Sequence, residues 1–183
     1  HKGVRQLIQA FTRLMSDTPE LDLHLLLLNA LYPAAESVEE QAACRELIGR
    51  SGFAGRITMI NDFLDDREVL QRLAEAELIV YPYQHTQESA SGAVRIGLAS
   101  GRPVAVTPLT IFEDLAGVTL TLPGTSADEL AQGIAAFLAR PAVLAQCAEK
   151  QQAWLEAHRW PVLAGRLADM LVAVAPPPVV AGG

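Results

Sequence analysis

Residues 78–107, LIVYPYQHTQESASGAVRIGLASGRPVAVT, decide the fold. Leu78 to Tyr81 is a short apolar run of strand type, halted by Pro82. The loop from Tyr83 to Gly92 is polar and rich in small residues, and it opens onto a helical stretch from Ala93 to Ser100. Gly101 stands where a helix is expected to end on a left-handed C′ residue, and Pro103 to Thr107 is a second apolar strand. Strand, helix and strand in that order make a βαβ unit, whose two strands run parallel.

The same alternation extends to both sides. Val4, Leu7, Ile8, Phe11, Leu14 and Met15 recur at helical spacing, and Pro19 closes that first helix. Leu21 to Asn29 is a nearly continuous apolar run enclosing His24, which predicts a strand covered on both faces with His24 in the core or at an edge. A polar stretch from Pro33 to Glu40 leads into a helix expected from Glu39 to Arg50, stopped at Ser51-Gly52. Arg56 to Ile60 is a β-branched strand, and the Asn61–Asp66 segment offers an aspartate cap for a helix reaching Glu75. Val118 to Leu122 is a further strand; beyond Ser126 the pattern is helical, interrupted at Pro141 and Pro161. The expected class is α/β: a Rossmann-like, doubly wound parallel sheet flanked by helices. Residues 1–175 form the domain and 176–183 a flexible tail containing Pro176-Pro177-Pro178.

The chain has 183 residues, half of them apolar and 19% charged, so one domain with a sizeable core is expected and disorder is not. Its net charge of −7 and scattered basic residues argue against a nucleic-acid partner or an anionic membrane surface. No apolar run approaches the ~20 residues of a membrane span. Cys44 and Cys147 stand alone, without metal-ligand or redox spacing, and read as buried thiols. The sequence opens at His1 directly into a helical pattern, without a secretory signal, as a piece of a longer chain would.

In an open α/β sheet, ligands bind beyond the carboxyl ends of the strands. Asn61 to Asp65, Tyr83 to Gly92 and Thr107 to Asp114 fall there. The middle segment carries the most information. Free N–H groups and the dipole at a helix start attract phosphate, and the small residues Ser89, Ala90, Ser91, Gly92 and Ala93 would let it approach the backbone. An ordinary cap by Ser89 or Ser91, with nothing bound, is the competing reading of the same residues. His85 lies in this loop and could reach a ligand. There is no GxGxxG, no GxxxxGK[ST], no GxSxG and no zinc-spaced His/Cys set.

The run from Glu88 through Ser100-Gly101-Arg102-Pro103-Val104 resembles the glutamate-rich signature of the retaining GT-B glycosyltransferases (glycosyl transferases group 1). His1-Lys2-Gly3 before an amphipathic helix is similar to the Lys-Gly motif that opens the family's C-terminal domain. Leu73 to Pro82 resembles its "A-x-A-D-x-x-x-x-P-S" segment, and His158-Arg159-Trp160 its terminal helix. The four features occur in family order along nearly the whole chain.

The resemblance implies the nucleotide-sugar-binding C-terminal half of a GT-B enzyme, separated from an N-terminal acceptor-binding domain. Glu88 would be the catalytic-site residue that holds donor-sugar hydroxyls. Lys2 would contact the donor diphosphate, its arginine partner lying upstream of residue 1. Amides of Ser89 to Ala93 would cradle phosphate, while Asn61, Phe63 and Leu64 would border the base. Ile96 stands where the family carries a second glutamate that grips ribose, and Arg95 beside it is a phosphate candidate. The full enzyme would transfer a sugar from a nucleoside-diphosphate sugar with retention, in bacterial polysaccharide or glycoconjugate synthesis. No separate cofactor is implied, and without an Asp-x-Asp motif no metal is expected. The setting implied is the cytoplasm, or the inner membrane surface reached through the rest of the protein. The isolated half would not turn over. The alternative is a non-catalytic nucleotide-binding module derived from the same fold. A receiver-like domain is disfavoured, since Asn29-Ala30 ends the first strand and no lysine lies between Lys2 and Lys150.

Overall fold

The computed structural model describes residues 1–174; the tail expected over 176–183 lies outside them. Helices and strands alternate as α1 (Val4–Asp17), β1 (Leu25–Leu28), α2 (Ala35–Arg50), β2 (Ile57–Ile60), α3 (Asp66–Leu73), β3 (Ile79–Tyr81), α4 (Gly92–Ala99), β4 (Val104–Val106) and β5 (Leu120–Thr121). Three helices follow: α5 (Ala127–Leu138), α6 (Pro141–Ala157) and α7 (Trp160–Val174). All strand pairings are parallel. The Rossmann-like α/β arrangement is the one expected.

Strand β4 displays the layering. All three of its residues are buried, Val104 and Val106 packing with Val94, Leu98 and Phe112 while Ala105 turns to Ala10, Leu122 and Leu130. Because side chains alternate across a strand, α4 covers one face of the sheet, and α1 and α5 the other. Backbone hydrogen bonds group the strands into two ladders, β1–β2 and β3–β4–β5. Helix α1 packs on both. Leu7, Ile8, Phe11 and Met15 lie against Leu27 and Ile57 of the first, and Ala10 against Ala105 of the second. Val80 of β3 is packed against both clusters.

Helix starts follow local chemistry. Asp65 accepts a bond from Glu68 N at 2.8 Å and caps α3. Ser126 and Glu129 close a reciprocal capping box on α5. Pro141 occupies the first turn of α6, where its missing N–H costs nothing. Gly101, just past α4, takes the left-handed φ of 76° anticipated for it.

Several boundaries differ from expectation. The apolar run Leu21 to Asn29 is strand only over Leu25–Leu28, because its partner begins at Ile57, opposite Leu25. It is also not covered on both faces: Leu27 is buried, but Leu26 is 40% exposed. His24 is an exposed residue beside Arg56, which also pairs with Asp22. Helix α2 begins at Ala35, four residues before Glu39, since Ala35 and Glu36 are strong helix formers and Glu36 suits the positive end of the dipole. Helix α3 ends at Leu73 rather than Glu75. Thr110–Leu115, read as loop, is a 3-10 turn that buries Ile111, Phe112 and Leu115. Helix α7 buries none of its residues, and Trp160 is 84% exposed. Among the described residues no single helix is long and apolar enough to cross a membrane.

Both cysteines are buried and unpaired, as expected. Burial, then the nearby Glu40 charge, pushes the Cys44 thiol up to about 11, and burial also raises Cys147. Neither is therefore expected to react at pH 8 with a disulfide reagent at more than a small fraction of the rate seen after denaturation. The packing gives a second expectation. Leu130→Ala removes a fully buried side chain and should lower the unfolding free energy by about 2–5 kcal/mol in urea titration. Leu26→Ala, on the open face, should cost under about 1 kcal/mol.

Candidate functional site

Three sequence-distant pieces meet beyond the carboxyl end of β3. The chain leaves β3 through Pro82 and Tyr83, crosses the loop, and enters α4 at Gly92. The residues before α1 lie alongside: the Gln84 N–H donates to the His1 carbonyl at 2.7 Å. Gly3 makes this possible. Its φ is +70°, and a Cβ there would sit 1.8 Å from the Pro82 carbonyl oxygen. Any other residue would force α1 away from β3. The Gln84 side chain closes the junction, donating to the carbonyls of Pro82 and Thr125 at 3.0 and 3.1 Å.

Lys2 is thereby delivered to the loop. Its Nζ donates to the Tyr83 hydroxyl at 2.9 Å and stands 3.7 Å from a Glu88 carboxylate oxygen. His1 Nε2 is 3.7 Å from the other oxygen. Lys2 and Glu88 have side chains 42% and 50% exposed, so this pair is water-screened and worth less than about 1 kcal/mol. A ligand can separate them at little cost. Tyr83, by contrast, is buried, and its carbonyl accepts from the buried Thr107 hydroxyl at 2.8 Å.

At the start of α4 the two readings of the serine segment divide by atom. Ser91 is the cap: its buried hydroxyl accepts from Val94 N at 3.5 Å and lies 3.0 Å from the Tyr83 hydroxyl. Ser89, Ala90, Gly92 and Ala93 are exposed, and the first N–H groups of α4 have no acceptor inside the helix. Below them the Tyr81 hydroxyl, kept protonated by burial first and by neighbouring Tyr83 second, donates to the Ala93 carbonyl at 2.6 Å. Arg95 is already engaged. It donates to the Ser91 carbonyl at 2.9 Å and pairs with Asp114, bracing the loop against the 3-10 turn. Ile96 is half-buried.

The segment from Asn61 to Leu64 lies at the end of β2, in the other ladder. Asn61 donates to the Asn29 carbonyl at 2.8 Å, and Leu31 N to the Asn61 carbonyl at 2.9 Å, so the exits of β1 and β2 are tied together. The Asn61 Oδ1 is buried without a donor. Phe63 is 92% exposed and Leu64 half-buried. Among the described residues no hydrogen bond or ion pair joins this segment to Lys2 or Glu88. His85 is exposed in the loop.

Sequence reasoning passed over Tyr83 and Thr107. The available signal for Tyr83 was its place directly after Pro82, where the resembled segment ends in Pro-Ser.

The model of the family described as glycosyl transferases group 1 matches residues 1–140. A search of the curated proteins finds no match. Among solved structures, the chain is similar to an α,α-trehalose-phosphate synthase (UDP-forming) from Burkholderia vietnamiensis, with a TM-score of 0.76 at 15% identity over 94% of this chain and 43% of that one. A sucrose-phosphate synthase from Thermosynechococcus elongatus gives a TM-score of 0.71 at 20% identity, covering 93% of this chain and 43% of that one. Anabaena HepE, solved in complex with UDP, gives 0.72 at 19% identity, covering 94% and 46%. The chain thus spans less than half the length of these neighbours.

The geometry at Gly3 is directly testable. Gly3→Ala should cost about 2 kcal/mol or more in chemical denaturation, from the left-handed backbone and the collision with Pro82 together. Gly55→Ala, where a Cβ meets nothing within 4 Å, is the control and should be near neutral.

Proposed function

The chain belongs to the glycosyl transferases group 1 family, and on that premise we propose that it is the nucleotide-sugar-binding half of a two-domain retaining glycosyltransferase. The observation that carries this reading is the meeting of Lys2 with Glu88 beside the open start of α4. A cation, a carboxylate and free helix-start amides are brought within reach of one ligand by residues 86 positions apart. A nucleoside-diphosphate sugar presents what they would bind: phosphate oxygens for the ammonium and amides, and sugar hydroxyls for the carboxylate. That one structural neighbour was solved with UDP supports this class of ligand.

In the proposed reaction the sugar–phosphate bond breaks and the diphosphate leaves with growing negative charge. Lys2 and the amides of Gly92 and Ala93 would stabilise that charge, aided by the positive end of the α4 dipole. Glu88 would hold the sugar in the orientation that the incoming acceptor requires. Ser91 would contribute through its backbone, since its hydroxyl is occupied as the cap. The acceptor would be bound by an N-terminal acceptor-binding domain, and without that domain the chain would bind donor and not turn it over. The exposed Phe63 would border the base. A role in bacterial polysaccharide or glycoconjugate synthesis belongs to this proposal. A non-catalytic nucleotide-binding module is the second reading, favoured by Ile96 at the place of the second glutamate.

Calorimetric titration with UDP, GDP and ADP tests both. One nucleotide should bind selectively, and Lys2→Ala should weaken it by about tenfold or more. Glu88→Ala should leave the nucleotide affinity nearly intact while removing the extra affinity of the matching sugar nucleotide. Sugar transfer by the full-length protein would separate enzyme from module. Failure of the full-length protein to bind any of these nucleotides at millimolar concentration would sink both.

A further inference from the structure

Nothing in the family pattern assigns a task to Tyr83, yet its hydroxyl is the centre of the network beside the proposed donor site. The ring is fixed on several sides: Phe112 at a centroid distance of 5.3 Å, Tyr81 at 6.2 Å and His1 at 6.1 Å. Its relative exposure is 3%, so the hydroxyl has no freedom to follow Lys2; Lys2 must come to it. The Lys2 ammonium reaches the hydroxyl at 2.9 Å and stands 4.2 Å from the ring centroid. On the far side the Tyr83 hydroxyl meets Ser91 Oγ at 3.0 Å, and Ser91 Oγ receives the Val94 N–H.

We propose that Tyr83 is a positioning residue that holds the Lys2 ammonium in place for the donor diphosphate and ties it to the cap of α4; this rests on the function proposed above. A lysine has four rotatable side-chain bonds, and ordering it only when ligand arrives would reduce affinity. One N–H bonded inward to a rigid, buried hydroxyl fixes the ammonium beforehand and leaves its other two N–H groups for phosphate oxygens. The same hydroxyl also meets the side chain of the α4 cap, Ser91, which directly precedes the first helical residue, Gly92.

The test compares Tyr83→Phe with wild type, keeping the ring and removing only the oxygen. Two measurements are made on the whole chain. The first needs no ligand: acylation of Lys2 by dilute acetic anhydride, read by peptide mass spectrometry against Lys150, the other lysine. The Lys2-to-Lys150 ratio should rise several-fold in Tyr83→Phe. The second is calorimetry with whichever of UDP, GDP and ADP the wild type binds. Affinity should fall about fivefold, while the same substitution in a Lys2→Ala background should change it less than twofold. An unchanged acylation ratio overturns the proposal, as does an equal loss of affinity in both backgrounds, which would mark Tyr83 as merely structural. If neither this chain nor the full-length protein binds a nucleotide but the acylation ratio rises, the donor-site reading fails and the Tyr83–Lys2 contact stands without its assigned purpose. That outcome also overturns the positioning role.

Discussion

At Gly3 the backbone runs so near the Pro82 carbonyl that no side chain fits between them. This approach fixes where α1 starts, and the position of α1 determines much else. Its buried stripe reaches both ladders of strands, so it helps to hold β1–β2 against β3–β4–β5. It also places His1 and Lys2 over a loop more than eighty residues later in the chain. The site is therefore a consequence of how the first helix docks, not an independent addition to a finished fold.

Polar groups around the site are graded by depth. Thr107, Tyr83 and Ser91 are buried and bonded to one another or to backbone, as groups removed from water need to be. Lys2 and Glu88 sit at the boundary and remain half in solvent. A rigid inner layer thus supports a loosely paired outer one. That division suits a binding site, because the inner layer keeps geometry while the outer layer exchanges partners without a large desolvation cost.

The βαβ unit of residues 78–107 was legible because apolar alternation, a punctuating glycine and two prolines are all local signals. That Lys2 and Glu88 would serve one ligand was implied by a resemblance and not by spacing, and their direct contact was not anticipated. What escaped was decided by distant partners. Strand β1 is short because β2 is short, which no feature within Leu21 to Asn29 reveals. The turn at Thr110–Leu115 is too brief for a period to emerge, although its apolar residues enter the core. Arg95 reads as a free cation until Asp114 is folded beside it. Ser89 and Ser91 are both offered as caps until the start of α4 at Gly92 is known, which leaves Ser91.

The two ladders that α1 spans carry different loops. Asn61 to Leu64 grows from β2, whereas the Glu88 loop and α4 grow from β3, and among the described residues no backbone ladder crosses between the groups. Side chains hold the two groups together: α1 packs on both ladders, and Val80 of β3 and Ile134 of α5 sit against both clusters, as pins join two plates. An ordinary Rossmann sheet joins such groups with rows of main-chain bonds that tolerate almost no slip. Here a shift in that packing would change the spacing between the Asn61 loop and the Glu88 loop without breaking a single main-chain ladder.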